Sequence, residues 1–157
     1  MFNIGDKIVY PMYGAGVVTD IVERDFLGEM RRYYCVSLPY CRMDASVPVD
    51  NCDKLGVRDI IDQSKISEVI EVLGGETEAM NPNWNKRYRE NTERMQTGDV
   101  LEVAAVVRNL TRTDRKKPLS TGEKKLLNTA KQILVSELVY SGGYTPEEVE
   151  EMVESSI

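Results

Sequence analysis

The chain has 157 residues, a net charge of −6 and no histidine. That length holds one ordinary domain or two small ones, and the missing histidine excludes Ser-His and Cys-His nucleophilic catalysis along with the commonest zinc ligand. The apolar share is that of a folding globular protein, and no stretch nears the length of a membrane span, so no membrane partner is expected.

The N-terminus, Met1-Phe2-Asn3-Ile4-Gly5-Asp6, has neither a basic region nor an apolar signal core, and a cytoplasmic protein is expected. Cys35, Cys41 and Cys52 form an odd set without a Cys-x-x-Cys pair, so they read as reduced thiols, with no metal site and no cofactor. Charge is unevenly spread. Residues 84–141 carry 12 Lys/Arg against 7 Asp/Glu, residues 1–83 carry 8 against 14, and residues 142–157 carry 5 Glu and no cation. A basic block between two acidic ones points to a single anion-facing surface.

In chain order the first half reads as β. Strands are predicted over Lys7–Tyr10, Val17–Glu23, Glu29–Leu38 and Met43–Val49, the last ended or set on an edge by Pro48. A tight connection spans Pro11–Gly16, with glycines free to take positive φ, and further turns fall at Asp25–Gly28 and Pro39–Arg42. Short strands with turns at this spacing predict a small barrel of the SH3 or Tudor kind over residues 1–55. Residues 56–157 read as all-helical, giving an α+β chain of two domains.

The helical half opens with an apolar stripe, Ile66, Val69, Ile70 and Leu73, stopped by Gly74-Gly75. A polar loop over 76–83 follows, and then a helix entered through Pro82 and Asn83 and ended at Gly98. Asp99 caps the next helix, with Glu102 at the reciprocal capping position. Thr111–Pro118 reads as a basic loop holding Arg112, Arg115, Lys116 and Lys117. Ser120 and Glu123 form a capping box for a long helix ending at Gly142-Gly143, with Lys124 and Lys125 in its first turns. Thr145 and Pro146 open a short acidic helix in the C-terminal tail.

The residues that bear on function centre on Trp84, the only tryptophan, with Lys86, Arg87 and Arg89 close behind it and Tyr88 one turn on. Cations that hold phosphates beside a ring that wedges or stacks suit a nucleic-acid backbone. The alternative is that Trp84 is core and its neighbours a solvated face. Lysines in the first turns of the helix after Ser120 oppose the helix dipole, a placement easier to understand if an anion binds there. No residue pattern supplies a catalytic site: Gly14-Ala15-Gly16 is too short for a phosphate loop, and no nucleophile has a base beside it. In the β half, Arg24, Arg31 and Arg32 face solvent among acids, and an exposed strand edge is a common protein-binding device.

Several segments together resemble the CarD/CdnL family of bacterial regulators that bind RNA polymerase. In the β half these are Val9-Tyr10-Pro11, Gly14, Gly16, Val47-Pro48-Val49-Asp50-Asn51 and Gly56-Val57-Arg58. In the helical half they are Asn83-Trp84-x-Lys86-Arg87-Tyr88, Gly98-Asp99, Val106-Val107-Arg108-x-Leu110, Leu119-Ser120-x-Gly122-Glu123-Lys124 and Gln132–Glu137. The likeness runs to about residue 141.

The resemblance implies a Tudor-like domain, shared with the transcription-repair coupling factor, that docks on a lobe of the polymerase β subunit. It implies a helical domain on promoter DNA at the upstream edge of the transcription bubble. Trp84 would insert in the minor groove and keep the open complex from closing. Lys86, Arg87 and Arg89 would face DNA backbone, with Lys124 a further phosphate contact. Arg24 matches a position that contacts the β subunit, and Ser46, Val47 and Pro48 are expected to join it there, with Ser46 standing where relatives usually carry arginine. A monomer at the nucleoid is expected, with a strand- or domain-swapped dimer as the other possibility. The rival reading is a protein adaptor that uses the β domain while Trp84 is buried packing in a purely structural helical domain.

Overall fold

The computed structural model describes residues 1–157. Five strands, β1 (Lys7–Tyr10), β2 (Gly14–Phe26), β3 (Glu29–Leu38), β4 (Met43–Pro48) and β5 (Arg58–Asp59), form one antiparallel sheet in the order β4-β3-β2-β1-β5. The period of two decides its faces. On β3, Tyr34, Val36 and Leu38 turn inward with Ile8, Val18 and Val47, while Tyr33, Cys35 and Ser37 lie on the other face. Cys52, in the single-turn helix α1 (Cys52–Leu55), and Val57 close the same core. The sheet module therefore takes in residues past 55, up to its fifth strand.

β2 begins earlier and ends later than the predicted Val17–Glu23. Gly14 and Gly16 pair with Tyr10 and Ile8, so the connection shrinks to residues 11–13. Both glycines are required. Gly14 sits at φ +100°, and a Cβ there would lie 2.9 Å from Ser136 Oγ; a Cβ on Gly16 would overlap the Ser37 carbonyl.

The second module comprises α2 (Ile66–Gly74), α3 (Trp84–Gln96), α4 (Val100–Lys116), α5 (Thr121–Gly142) and α6 (Pro146–Ser156) around one apolar core. The predicted basic loop over Thr111–Pro118 is instead the last turns of α4 and its exit. Its composition is polar, but nothing there breaks a helix before Pro118, which forces Lys117 to extended geometry (φ −151°, ψ 127°). Glu102 does not cap: Asp99 N–H donates to Thr97 Oγ1, and Glu102 accepts from Arg94 Nε at 2.6 Å. The acidic tail is packed rather than free. Val149 and Val153 of α6 enter the core, and Glu154 takes Lys131 at 2.7 Å and Arg115 at 3.4 Å. The Lys131 hydrogen bond holds the Glu154 carboxyl below the usual carboxylate range.

The sheet docks on α5. Ala15 N–H donates to Ser136 Oγ at 2.9 Å, and Lys7 Nζ reaches the Tyr140 carbonyl at 3.2 Å. The main tie is Arg58, which forks onto Glu137 with two bonds of 2.7 Å and donates through Nε to the Gly98 carbonyl, also at 2.7 Å. Glu137 additionally accepts from Ile61 N–H at 2.9 Å. One arginine thus joins the sheet, α5 and the α3–α4 corner. The Glu137 side chain is 2% exposed and that of Arg58 29%, so losing either partner has unequal effects. Arg58→Ala strands a buried carboxylate and should cost roughly 3–5 kcal/mol, whereas Glu137→Gln leaves a guanidinium near water and should cost clearly less. Urea unfolding of the two variants checks the order; equal losses would show that the carboxylate reaches water.

Candidate nucleic-acid interface and polymerase-facing sheet

α3 is polar almost throughout, and its N-terminus is built by side chains. Asn83 Oδ1 accepts from Asn85 N–H and Lys86 N–H at 3.0 and 3.2 Å, and Asn81 Oδ1 accepts from Asn83 N–H at 2.9 Å. One stripe of the helix holds Met95, Asn91, Tyr88 and Trp84. Met95 and Asn91 are buried, but Tyr88 and Trp84 are exposed, Trp84 by 55%. The packed face of α3 thus overhangs the body at its N-terminal end. Trp84 is not core, and the adaptor reading that required it as buried packing fails on this point.

Arg87 behaves differently from the expectation that it faces DNA backbone. It forks onto Glu123 with bonds of 2.7 and 2.6 Å and also reaches the Asn81 carbonyl at 3.3 Å. Its side chain is 19% exposed, and hydrogen bonding to Glu123 pushes the guanidinium above its already high range. Its donors are taken up inside the fold. It clamps the first turn of α3 to the first turn of α5. Glu123, read as half of a capping box, is mainly its acceptor, although Ser120 Oγ still accepts from Glu123 N–H at 3.3 Å.

The other cations of residues 84–141 sort cleanly. Arg94 binds Glu102 and Glu78; Arg108, buried, binds Glu78 at 2.7 Å and the Val72 carbonyl at 2.8 Å; Arg112 donates to the Gly75 and Leu73 carbonyls. These three hold the loop between α2 and α3. Arg115 and Lys131 hold α6. Lys86, Arg89, Lys116, Lys117, Lys124 and Lys125 make no ion pair, and all are exposed.

Chain direction puts those six together. α3, α4 and α5 are joined by short connections and run up, down and up. The start of α3, the end of α4 and the start of α5 therefore share one end of the body. The Arg87–Glu123 bridge spans that end, while the sheet docks toward the other through Gly98 and Ser136. Trp84 stands at the free end with the cations. Lys116, Lys117 and Lys125 belong to this surface as much as Lys124. Counting alternate helix directions would have placed them there once the α4 tail was recognised as helical.

On the sheet, Arg24 Nη1 donates to Ser46 Oγ at 3.1 Å and its guanidinium lies 5.8 Å from the Tyr33 ring centre. These two expected polymerase contacts share the outward face. Val47 does not join them: alternation turns it inward, where it is 1% exposed, so its side chain is core. Pro48 ends β4, which is a free sheet edge.

Family models agree with this division. That of the CarD C-terminal domain matches residues 68–154, and that of the CarD-like/TRCF RID domain matches residues 2–61. This chain belongs to the CarD family. The first match ends in α6, so the acidic helix is part of the family fold, and the second ends just past β5. A Bacillus subtilis (strain 168) protein described as "Putative transcription factor YdeB" is 36% identical over 150 residues, which is 95% of this chain and 97% of that one. Membership of the CarD family makes the role a transcriptional one at RNA polymerase, in a family of transcription-factor type rather than an enzyme class. No helix is long and apolar enough to cross a membrane.

The clamp generates a test. Glu123→Ala should lower stability by about 3 kcal/mol, because it removes a charge-assisted fork and strands Arg87. It should also free the start of α3. Trp84 fluorescence anisotropy of the folded variant should drop below wild type; unchanged anisotropy would show that α3 is held by Met95 and its cap alone.

Proposed function

We propose that this chain is a non-enzymatic regulator that binds the polymerase β subunit through its sheet module and stabilises the open promoter complex through the free end of its helical module. Trp84 wedges at the upstream edge of the bubble from the minor-groove side. Lys86, Arg89 and Lys124, joined by Lys116, Lys117 and Lys125, hold the flanking phosphates. Arg87 sets the angle at which the wedge is presented. The outward face carrying Arg24 and Ser46, with the neighbouring β4 edge and Pro48, meets the polymerase.

The observation that carries this reading is the coincidence of an exposed tryptophan with every unpaired cation of the basic block at the end away from the sheet. A lone indole in water is unfavourable, and six unneutralised cations repel one another. A kinked, phosphate-lined groove relieves both. Few phosphates are met by an acidic chain, so DNA binding alone is weak and salt-sensitive. Useful affinity comes from linking it to polymerase binding.

Trp84→Ala should leave folding within about 0.5 kcal/mol of wild type, as the side chain is mostly in water. It should shorten the open-complex lifetime about fivefold or more, equivalent to losing about 1 kcal/mol of base contact. Dissociation of cognate polymerase from a promoter under competitor challenge measures this, and an unchanged lifetime removes the wedge. Arg24→Glu should weaken binding to the β subunit about tenfold without altering free-DNA affinity. Full-strength binding would take Arg24 out of the interface.

A further inference from the structure

A cleft of about 200 Å³ lies where three parts of the chain meet. α5 and α6 form its sides, and Tyr40 of the sheet module reaches across to complete it. Tyr40 sits in a single 3-10 turn, Pro39–Cys41, between β3 and β4, and packs against the core of the helices. Val135 of α5 and Val153 of α6, both buried, give the cleft an apolar inner wall.

The polar groups around it divide into spent and unspent. Lys131 Nζ is turned onto Glu154 at 2.7 Å, and Arg115 is turned onto the same carboxylate at 3.4 Å. The cation at the rim is therefore already matched. Tyr40 Oη, the Gln132 amide and the Glu150 carboxylate line the cleft and make no hydrogen bond or ion pair within the protein. Glu147 stands three residues before Glu150 on the same side of α6, and residues 142–157 hold no cation to oppose either. Both carboxylates act on the ring: burial first, and then Tyr140, Glu150 and Glu147, push the Tyr40 phenol up, so that it stays neutral.

These groups suit an organic cation. The tyrosine ring offers its π face, and the carboxylate and amide oxygens accept from N–H donors. An anion would meet Glu150 and Glu147 with no free cation in return. The volume is below the roughly 300–1,000 Å³ of sites for drug-sized ligands, which limits the occupant to a compact molecule. We propose that this cleft binds a small organic cation, an amidine, guanidine or primary amine on a compact apolar body, with the charged group against Glu150 and Tyr40 and the body against Val135 and Val153. A bound molecule would tie α6 and the β3–β4 turn to α5, because its contacts come from all three. The site is independent of the polymerase and DNA contacts proposed above.

The test titrates full-length protein with benzamidine, benzamide and benzoate, three probes of nearly one shape that differ in charge. Calorimetry gives the affinities, and amide hydrogen exchange locates the site. Benzamidine should bind with a Kd of about 1 mM or below, raise the melting temperature and slow exchange in α6. Benzamide should bind at least tenfold more weakly and benzoate not at all. Glu150→Gln alters an exposed side chain, so the variant should fold as wild type while losing at least tenfold in benzamidine affinity. Tyr40→Leu should lose about fivefold. Absence of saturable benzamidine binding, equal affinity for the three probes, or undiminished binding to Glu150→Gln would each overturn the proposal. Tighter binding of a Gly-Arg-Gly peptide than of benzamidine would make the cleft a seat for a partner's arginine and overturn the small-molecule assignment.

Discussion

Glu137, buried in the middle of α5, and the Arg58 fork that reaches it from the sheet fix how the two modules sit against each other. An ionised carboxylate at that depth is tolerable only because its oxygens are filled, by Arg58 and by the Ile61 N–H. The same arginine satisfies the Gly98 carbonyl at the corner between α3 and α4. Sliding the sheet along α5 would leave the buried Glu137 carboxylate and Gly98 carbonyl unpaired at once. The modules accordingly hold one orientation, and a contact made by one has a defined position relative to a contact made by the other.

Glu123 repeats the device at the opposite end of the same helix. It lies 14 residues before Glu137, about 21 Å along α5. Its arginine, Arg87, comes from the helix that carries the tryptophan. α5 is thus a spine with a buried carboxylate toward each end, one holding the sheet and one holding the overhanging start of α3. The overhang needs such a hold, since α3 buries little beyond Asn91 and Met95. Two ion pairs on one helix thus set where the sheet and the start of α3 sit.

Charge follows the same logic. Half of the cations in the basic block are absorbed by the fold, where Arg87 holds the start of α3, Arg94, Arg108 and Arg112 hold the α2–α3 loop and Arg115 and Lys131 hold α6. What is left is concentrated rather than diluted. Of the glutamates of α6, Glu154 is spent on Lys131 and Arg115. An acidic protein can therefore present a basic end.

Much was legible in the residues themselves. Alternation over Glu29–Leu38, the apolar stripe of α2, the Asn83, Asp99, Ser120 and Thr145 caps, and the stop at Gly143 are local features. Each depends on a residue's own geometry and its near neighbours. The sequence also singled out Trp84 and its cationic flank, and the family likeness with them. Side-chain partners were not legible. Nothing local separates Arg87, which clamps Glu123, from Lys86 and Arg89, which stay free, because the difference lies in which acid α5 brings within reach. Val47 beside Ser46 reads as the same surface until strand pairing sends one inward. The turns after Thr111 read as loop because polar composition resembles a loop when buried acceptors such as the Gly75 and Leu73 carbonyls are not in view. Short-range spacing determined the elements, the caps and the basic block around Trp84. Only the tertiary structure decided which charges are consumed and which are presented, because pairing requires groups distant in sequence to be brought within about 3 Å of one another.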